Sequence, residues 1–173
     1  YAHMIENHDE KRSLKTYSFD PKKEHCAAVI SLTLPGLRLI NQDQWCGYKY
    51  EIGVHLRRAV KEKPDEEFLS FYGKLFNIMK MDILKDGNYS VNNANAFSKV
   101  TPVLSWKYEK SGDFVSVFAN YSQSPIDVVY KFNDINKSVG EVNDLFNNTS
   151  IKLEKNNELN LHLDPYSYLI IKY

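Results

Sequence analysis

Within the first twelve residues, Asn7-His8-Asp9 sets an amide, an imidazole and a carboxylate side by side, directly after a short apolar run. Imidazole and carboxylate groups are what acid–base and electrostatic catalysis draw on. The same triplet in a loop is also ordinary turn chemistry, because Asn and Asp side chains bond their own backbone. His3 and His8, with Glu6 and Asp9, carry no established metal-ligand spacing, so the residues imply no metal and no cofactor. A second stretch, residues 41–49, is polar and studded with aromatics. Trp45, Tyr48 and the nearby Tyr50 suit stacking on the apolar face of a ligand, and equally suit packing of the loop itself.

Elements must hold these two stretches. Residues 1–5 read as the end of a strand, and residues 6–12 as the loop leaving it. Asp20-Pro21 reads as an N-cap followed by proline at the first helical position. Residues 24–34 read as a largely buried helix, ended by Pro35-Gly36. Residues 37–40 form a short apolar strand, which leads into the 41–49 loop. Asp65, Glu66 and Glu67 open a second helix, with acids where the macrodipole favours them. Phe68, Phe71, Tyr72, Leu75, Phe76 and Met79 recur at helical spacing and define its buried face. The order strand, loop, helix, strand, loop, helix is two successive βα units.

The composition shifts near Asp86-Gly87-Asn88. Beyond it, short alternating segments are separated by turn residues, and Phe114 to Asn120 alternates most regularly. Strands are expected at 103–108, 114–120, 126–132, 140–146, 150–153, 159–163 and 166–173. Strands at this spacing predict a small antiparallel sandwich over residues 88–173.

Composition excludes some classes. Hydrophobic residues are 43% of the chain, so it can bury a core and is not of disordered type. Formal net charge is zero, and the two halves carry 14 Lys/Arg against 12 Asp/Glu and 8 against 10. Neither half is a basic footprint, which argues against nucleic acid as a partner. No apolar run is long enough to span a bilayer, so no membrane partner is expected. Cys26 and Cys46 fit no redox or metal spacing and read as free thiols of a reducing, cytoplasmic compartment. Asn88, Asn120, Asn136, Asn147 and Asn148 begin Asn-x-Ser/Thr triplets, which an Asn-rich sequence produces by coincidence.

The run Ile5-Glu6-Asn7-His8-Asp9-Glu10-Lys11-Arg12 closely resembles the last short sequence block of the α-amylase superfamily of glycoside hydrolases, F-x-E-N-H-D-E-P-R. The stretch from Leu34 to Gly47 resembles P-G-x-R-x-x-x-x-G-Q-x-x-G around that family's final barrel strand. Residues 88–173 are similar in shape to its C-terminal β-domain, with Phe118-Ala119-Asn120-Tyr121-Ser122 and Asp164-Pro165-Tyr166-Ser167-Tyr168 at matching places.

The resemblance implies α/β followed by all-β: the last two βα units of a (β/α)8 barrel over residues 1–85, then a β-sandwich over 88–173. It implies that Asp9 is the third, transition-state-stabilising carboxylate of a retaining α-glucan hydrolase or transglycosylase. It further implies His8, Asn7, Gln44 and Trp45 as substrate contacts. Arg12 and Arg38 could bind substrate or hold the barrel through buried ion pairs, and the structural role is the favoured one. Two positions depart from the pattern: Lys11 stands where proline is usual, and Asp43 where glycine is common before Gln44.

A complete barrel takes eight βα units, typically about 250 residues. Two units leave sheet edges and apolar faces uncovered. The first half therefore needs the remainder of a barrel or self-association, and the start at Tyr1 without Met fits truncation or processing. No block matching the family's nucleophile or general acid is present, so the chain alone is expected to be inactive. A non-catalytic carbohydrate-binding or assembly module is the alternative.

Overall fold

The computed structural model describes residues 1–51, 53, 55, 58, 60–92, 95–96, 103–133, 140–154 and 157–173. The triplet at Asn136 lies outside them. The fold is mixed α/β with antiparallel sheets, in two compact units, Tyr1–Met79 and Lys80–Tyr173.

The first unit runs β1 (Ala2–His3), α1 (Ser13–Thr16), α2 (Pro21–Thr33), β2 (Leu37–Arg38), a 3-10 turn (Gln44–Cys46) and α3 (Glu66–Met79). Strands β1 and β2 pair in parallel, Ala2 opposite Leu37 and His3 opposite Arg38. Parallel neighbours need a crossover, and α1 and α2 supply it. Asp20 starts α2 as its residue type suggests, its carboxylate accepting from the Lys22 and Lys23 amides. Helix α2 is buried along most of its length and packs against α3, whose buried residues are Phe68, Phe71, Tyr72, Leu75 and Ile78. Phe76 and Met79, expected on that face, are only partly buried.

The second unit begins with α4 (Asp82–Asp86) and continues through β3 (Asn88–Val91), β4 (Asn95–Ala96), β5 (Leu104–Lys110), β6 (Asp113–Ala119), β7 (Ile126–Lys131), β8 (Glu141–Asp144), β9 (Thr149–Lys152), β10 (Glu158–Leu163) and β11 (Tyr168–Lys172). Six strands form one sheet in the order β3-β5-β6-β11-β8-β9, and three form another, β10-β7-β4. All these pairings are antiparallel. One core joins the two sheets: Phe118, Val142 and Ile171 from the larger, with Val128, Tyr130, Leu159 and Leu161 from the smaller. Strand β6 alternates in sequence, yet Val115 through Ala119 are all buried. Helix α4 packs against β5 and β6, so the sheet is covered there too.

Candidate active site

The loop between β1 and α1 is shaped by Asn7. Its Oδ1 accepts from the Asp9 amide at 2.8 Å and the Glu10 amide at 3.0 Å, closing a turn. Asn7, expected to contact substrate, thus has its carbonyl oxygen engaged in the turn. Its amide nitrogen lies 3.5 Å from Met4 Sδ. The turn carries His8 and Asp9 outward. Both side chains are 71% exposed, with His8 Nε2 3.3 Å from Asp9 Oδ2. Turn chemistry and a reactive-looking surface pair are therefore two halves of one motif.

The residues on either side are locked inward. Glu6 is buried, and its carboxylate accepts from the Ser13 amide at 2.7 Å and from Asn41 Nδ2 at 2.8 Å. Arg12 Nη1 lies 2.8 Å from the same carboxylate and also donates to the Gln42 carbonyl at 3.2 Å. The Arg12 guanidinium sits 5.8 Å from the centre of the Tyr48 ring. Arg12 is therefore structural, as expected of it. Glu6 fastens the start of the first loop, its end and the second loop to a single point. Arg38 donates to the Leu34 carbonyl at 3.4 Å, at the end of α2.

The second loop turns at Asp43, which has φ 60° and ψ 13°. This is the left-handed region that glycine favours and that Asp and Asn enter most readily among other residues. Asp43 thus takes a conformation that glycine, common at this place in the resembled motif, would also take. That turn directs Gln44 inward. Gln44 is 1% exposed, and its Nε2 donates to the Tyr72 hydroxyl at 2.9 Å. Expected at the substrate, its amide is part of the interior instead. Trp45 is half-buried, with Phe76 of α3 edge-on at 6.2 Å, so one of its neighbours is the fold itself. Gly47 closes the loop at φ 67°, packed against Phe68.

Behind both loops lies a group that sequence reasoning passed over. Glu24 is fully buried, and its Oε1 accepts from Ser13 Oγ at 2.8 Å and from the Tyr72 hydroxyl at 2.7 Å. Burial pushes its carboxyl up to about 7, against the opposing effect of those two hydrogen bonds. The Tyr72 phenol is held well above its ordinary range by burial and by Glu24. The signal was available: an acid at the head of a run as apolar as Cys26-Ala27-Ala28-Val29. Among the described residues, no group of three or more His, Cys, Asp or Glu side chains is placed to hold a metal ion. No helix among them is long and apolar enough to cross a membrane.

No family model matches the sequence, and no curated protein does. Solved structures do match. The noncanonic maltogenic α-amylase of Thermotoga neapolitana superposes with a TM-score of 0.78 at 18% identity, over 99% of this chain and 41% of that one. The chain has the fold of a segment of the α-amylases. The α-amylase of Geobacillus thermoleovorans, solved with acarbose, gives 0.77 at 15% identity, over 99% of this chain and 38% of that one. The maltogenic amylase of S. marinus gives 0.70 at 20% identity, over 98% and 22%. The chain thus spans about two fifths or less of the α-amylases it superposes on. Within this α-amylase fold, the structure brings His8 and Asp9 together at the surface. It links their loop to that of Gln44 and Trp45 through the contact between Glu6 and Asn41.

Proposed function

We propose that this chain is the C-terminal portion of an α-glucan-active retaining glycoside hydrolase or transglycosylase: the last two βα units of its barrel, followed by a β-sandwich. The observation that carries the reading is the exposed His8–Asp9 pair, on a rigid turn just after a strand with a parallel neighbour. Barrel enzymes keep their chemistry at the C-terminal ends of parallel strands. In support, one structure of this fold was solved with acarbose, and others are called maltogenic.

In this reading Asp9 places negative charge where the oxocarbenium-like transition state becomes positive. His8 donates to a hydroxyl of the same sugar. Asn7 shapes the turn that presents them, Trp45 borders the site, and Gln44 supports the second loop from inside. Two further carboxyl groups, nucleophile and general acid, are required. They belong to the remainder of the barrel, whose strands would cover Met4, Leu37 and Leu39, all well exposed here. The isolated chain is inactive for that reason.

The test is Asp9→Asn in the enzyme that carries this chain. Turnover of maltooligosaccharides should fall by about 10²- to 10³-fold, the scale of losing one positioned electrostatic group. Near-normal turnover sinks the catalytic role, and measurable hydrolysis by the 173-residue chain alone sinks the claim that nucleophile and acid lie elsewhere.

A further inference from the structure

Glu24 and His25 are adjacent in α2, and both are buried. Oε1 of Glu24 is held by Ser13 and Tyr72. Its Oε2 has no hydrogen-bond partner among the described residues, and neither has Nε2 of His25. These two orphaned atoms lie 3.9 Å apart, just beyond direct hydrogen-bond reach. The imidazole cannot readily turn away. It stacks on Phe71 at 3.7 Å with the planes 10° apart, and Phe68 meets it edge-on at 4.7 Å. Buried polar atoms left unpaired are costly, and far more so when charged, which favours a neutral acid facing a neutral imidazole.

The charges around the pair favour its neutral form. From the first loop comes Glu6, already paired with Arg12. From α3 comes Tyr72 as a neutral phenol, and from the 3-10 turn the neutral Gln44. Asp65, just before α3, acts on His25 in favour of its cation but does not overcome burial. The imidazole is lowered from its ordinary 6.5 to about 4, while Glu24 is raised from 4.5 to about 7.

We infer that Glu24 carries a proton on Oε2, directed at the neutral Nε2 of His25, and that this acid–imidazole pair is a pH-responsive brace behind the two loops. The other oxygen of Glu24 holds Ser13, where the first loop ends, and Tyr72, which holds Gln44 in the second. The brace stands or falls without the glycosidase reading.

Proton counting gives the test. An acid raised on folding stabilises fully below its unfolded value, and that stability drains away as pH rises from 4.5 to about 7. A histidine lowered on folding stabilises fully above 6.5, and its contribution drains away as pH falls to about 4. Between 4.5 and 6.5 the folded pair holds one proton, on Glu24, and the unfolded pair holds one, on His25. The two slopes cancel.

Urea unfolding of the full chain reads this. Trp45 is the tryptophan of the first unit and Trp106 that of the second, so a Trp106→Phe background reports the first unit by fluorescence. Relative to that background, Glu24→Gln should lose about tenfold in folding equilibrium constant per pH unit as pH falls through the window. His25→Gln should lose about tenfold per unit as pH rises. Parallel profiles for all three proteins would overturn the pair. If either variant fails to fold, infrared difference spectra of the unaltered chain decide. A protonated-carboxyl band at pH 6 that fades as pH passes 7 supports the inference, and its absence at pH 6 refutes it.

Discussion

Removing the charge of Glu6 should come close to unfolding the first unit. Glu6→Gln nearly preserves side-chain shape. The carboxylate it replaces accepts from the Ser13 amide, Asn41 Nδ2 and Arg12 Nη1 at 2.7–2.8 Å. All three neighbours are donors, so the new amide nitrogen must face one of them donor to donor. Arg12 keeps the Gln42 carbonyl and the Tyr48 ring but loses the one carboxylate it pairs with among the described residues, with its side chain 5% exposed. Its Nε and Nη2 already lack hydrogen-bond partners among the described residues. Stripping one partner from a buried pair costs about 3–5 kcal/mol. A pair at the surface would cost about 0–1 kcal/mol. Since whole domains are stable by roughly 5–15 kcal/mol, the expected loss is a large share of the total. Urea titration followed by Trp45 fluorescence measures it. Adding Arg12→Met should recover part of the loss, because it removes the stranded charge. A loss below about 1 kcal/mol would mean the pair is solvated in the manner of a surface contact, and the anchoring role assigned to Glu6 would fall.

Two further substitutions probe the turns. Gly47→Ala places a Cβ 2.8 Å from Phe68 Cγ at φ 67°, and Phe68 is packed against His25. The loss should be about 2 kcal/mol by urea titration, and a neutral result would mean the loop rearranges freely. Asn120 is fully buried, and its Nδ2 lies within 2.9 Å of the Ser124, Leu163 and Asp164 carbonyls, tying two loops of the second unit together. Asn120→Ala should cost about 3 kcal/mol by thermal melting read at Trp106, and a cost under about 1 kcal/mol would remove it as a clamp.

Helices α2 and α3 of the first unit were legible because their signals are local, whereas the four-residue α1, Ser13–Thr16, was not. Asp20-Pro21 fixes a start, and the spacing of Phe68, Phe71, Tyr72 and Leu75 fixes a face. The strands β3 and β4 were not. All four residues of Asn88–Val91 are exposed at a sheet edge, so the short alternation of Tyr89 and Val91 with Asn88 and Ser90 marks no buried face. In the candidate site, His8 and Asp9 sit at the surface as their motif suggests, but Gln44 points inward. Its direction is set by the left-handed turn at Asp43, a backbone property that an aspartate in the sequence does not announce. Glu24 escaped notice for a related reason. An acid in the first turn of a helix ordinarily faces solvent and the macrodipole, and only tertiary packing of α3 over α2 turns it into a buried group.

Glu6, Asp9 and Glu24 make the same point from the side of chemistry. Asp9 is open to water, with His8 beside its carboxylate and its amide held by the turn beneath. Glu6 is buried as an ion, which its guanidinium and two neutral donors allow. Glu24 is buried beside a hydroxyl, a phenol and a neutral imidazole, none of them a cation, so it keeps a proton. Partners, not residue type, separate the exposed carboxylate from the two buried ones. The two inner carboxyl groups meet the outer loop at adjoining atoms, since Glu6 takes the Ser13 amide and Glu24 takes the Ser13 hydroxyl. Ser13 is thus the residue at which both buried carboxyl groups reach the end of the loop that presents Asp9. Ser13→Ala removes the hydroxyl and leaves the amide for Glu6; it takes away a hydrogen bond that lowers the pKa of the Glu24 carboxyl, so the protonated-carboxyl infrared band should persist to higher pH, and an unchanged band would refute the link.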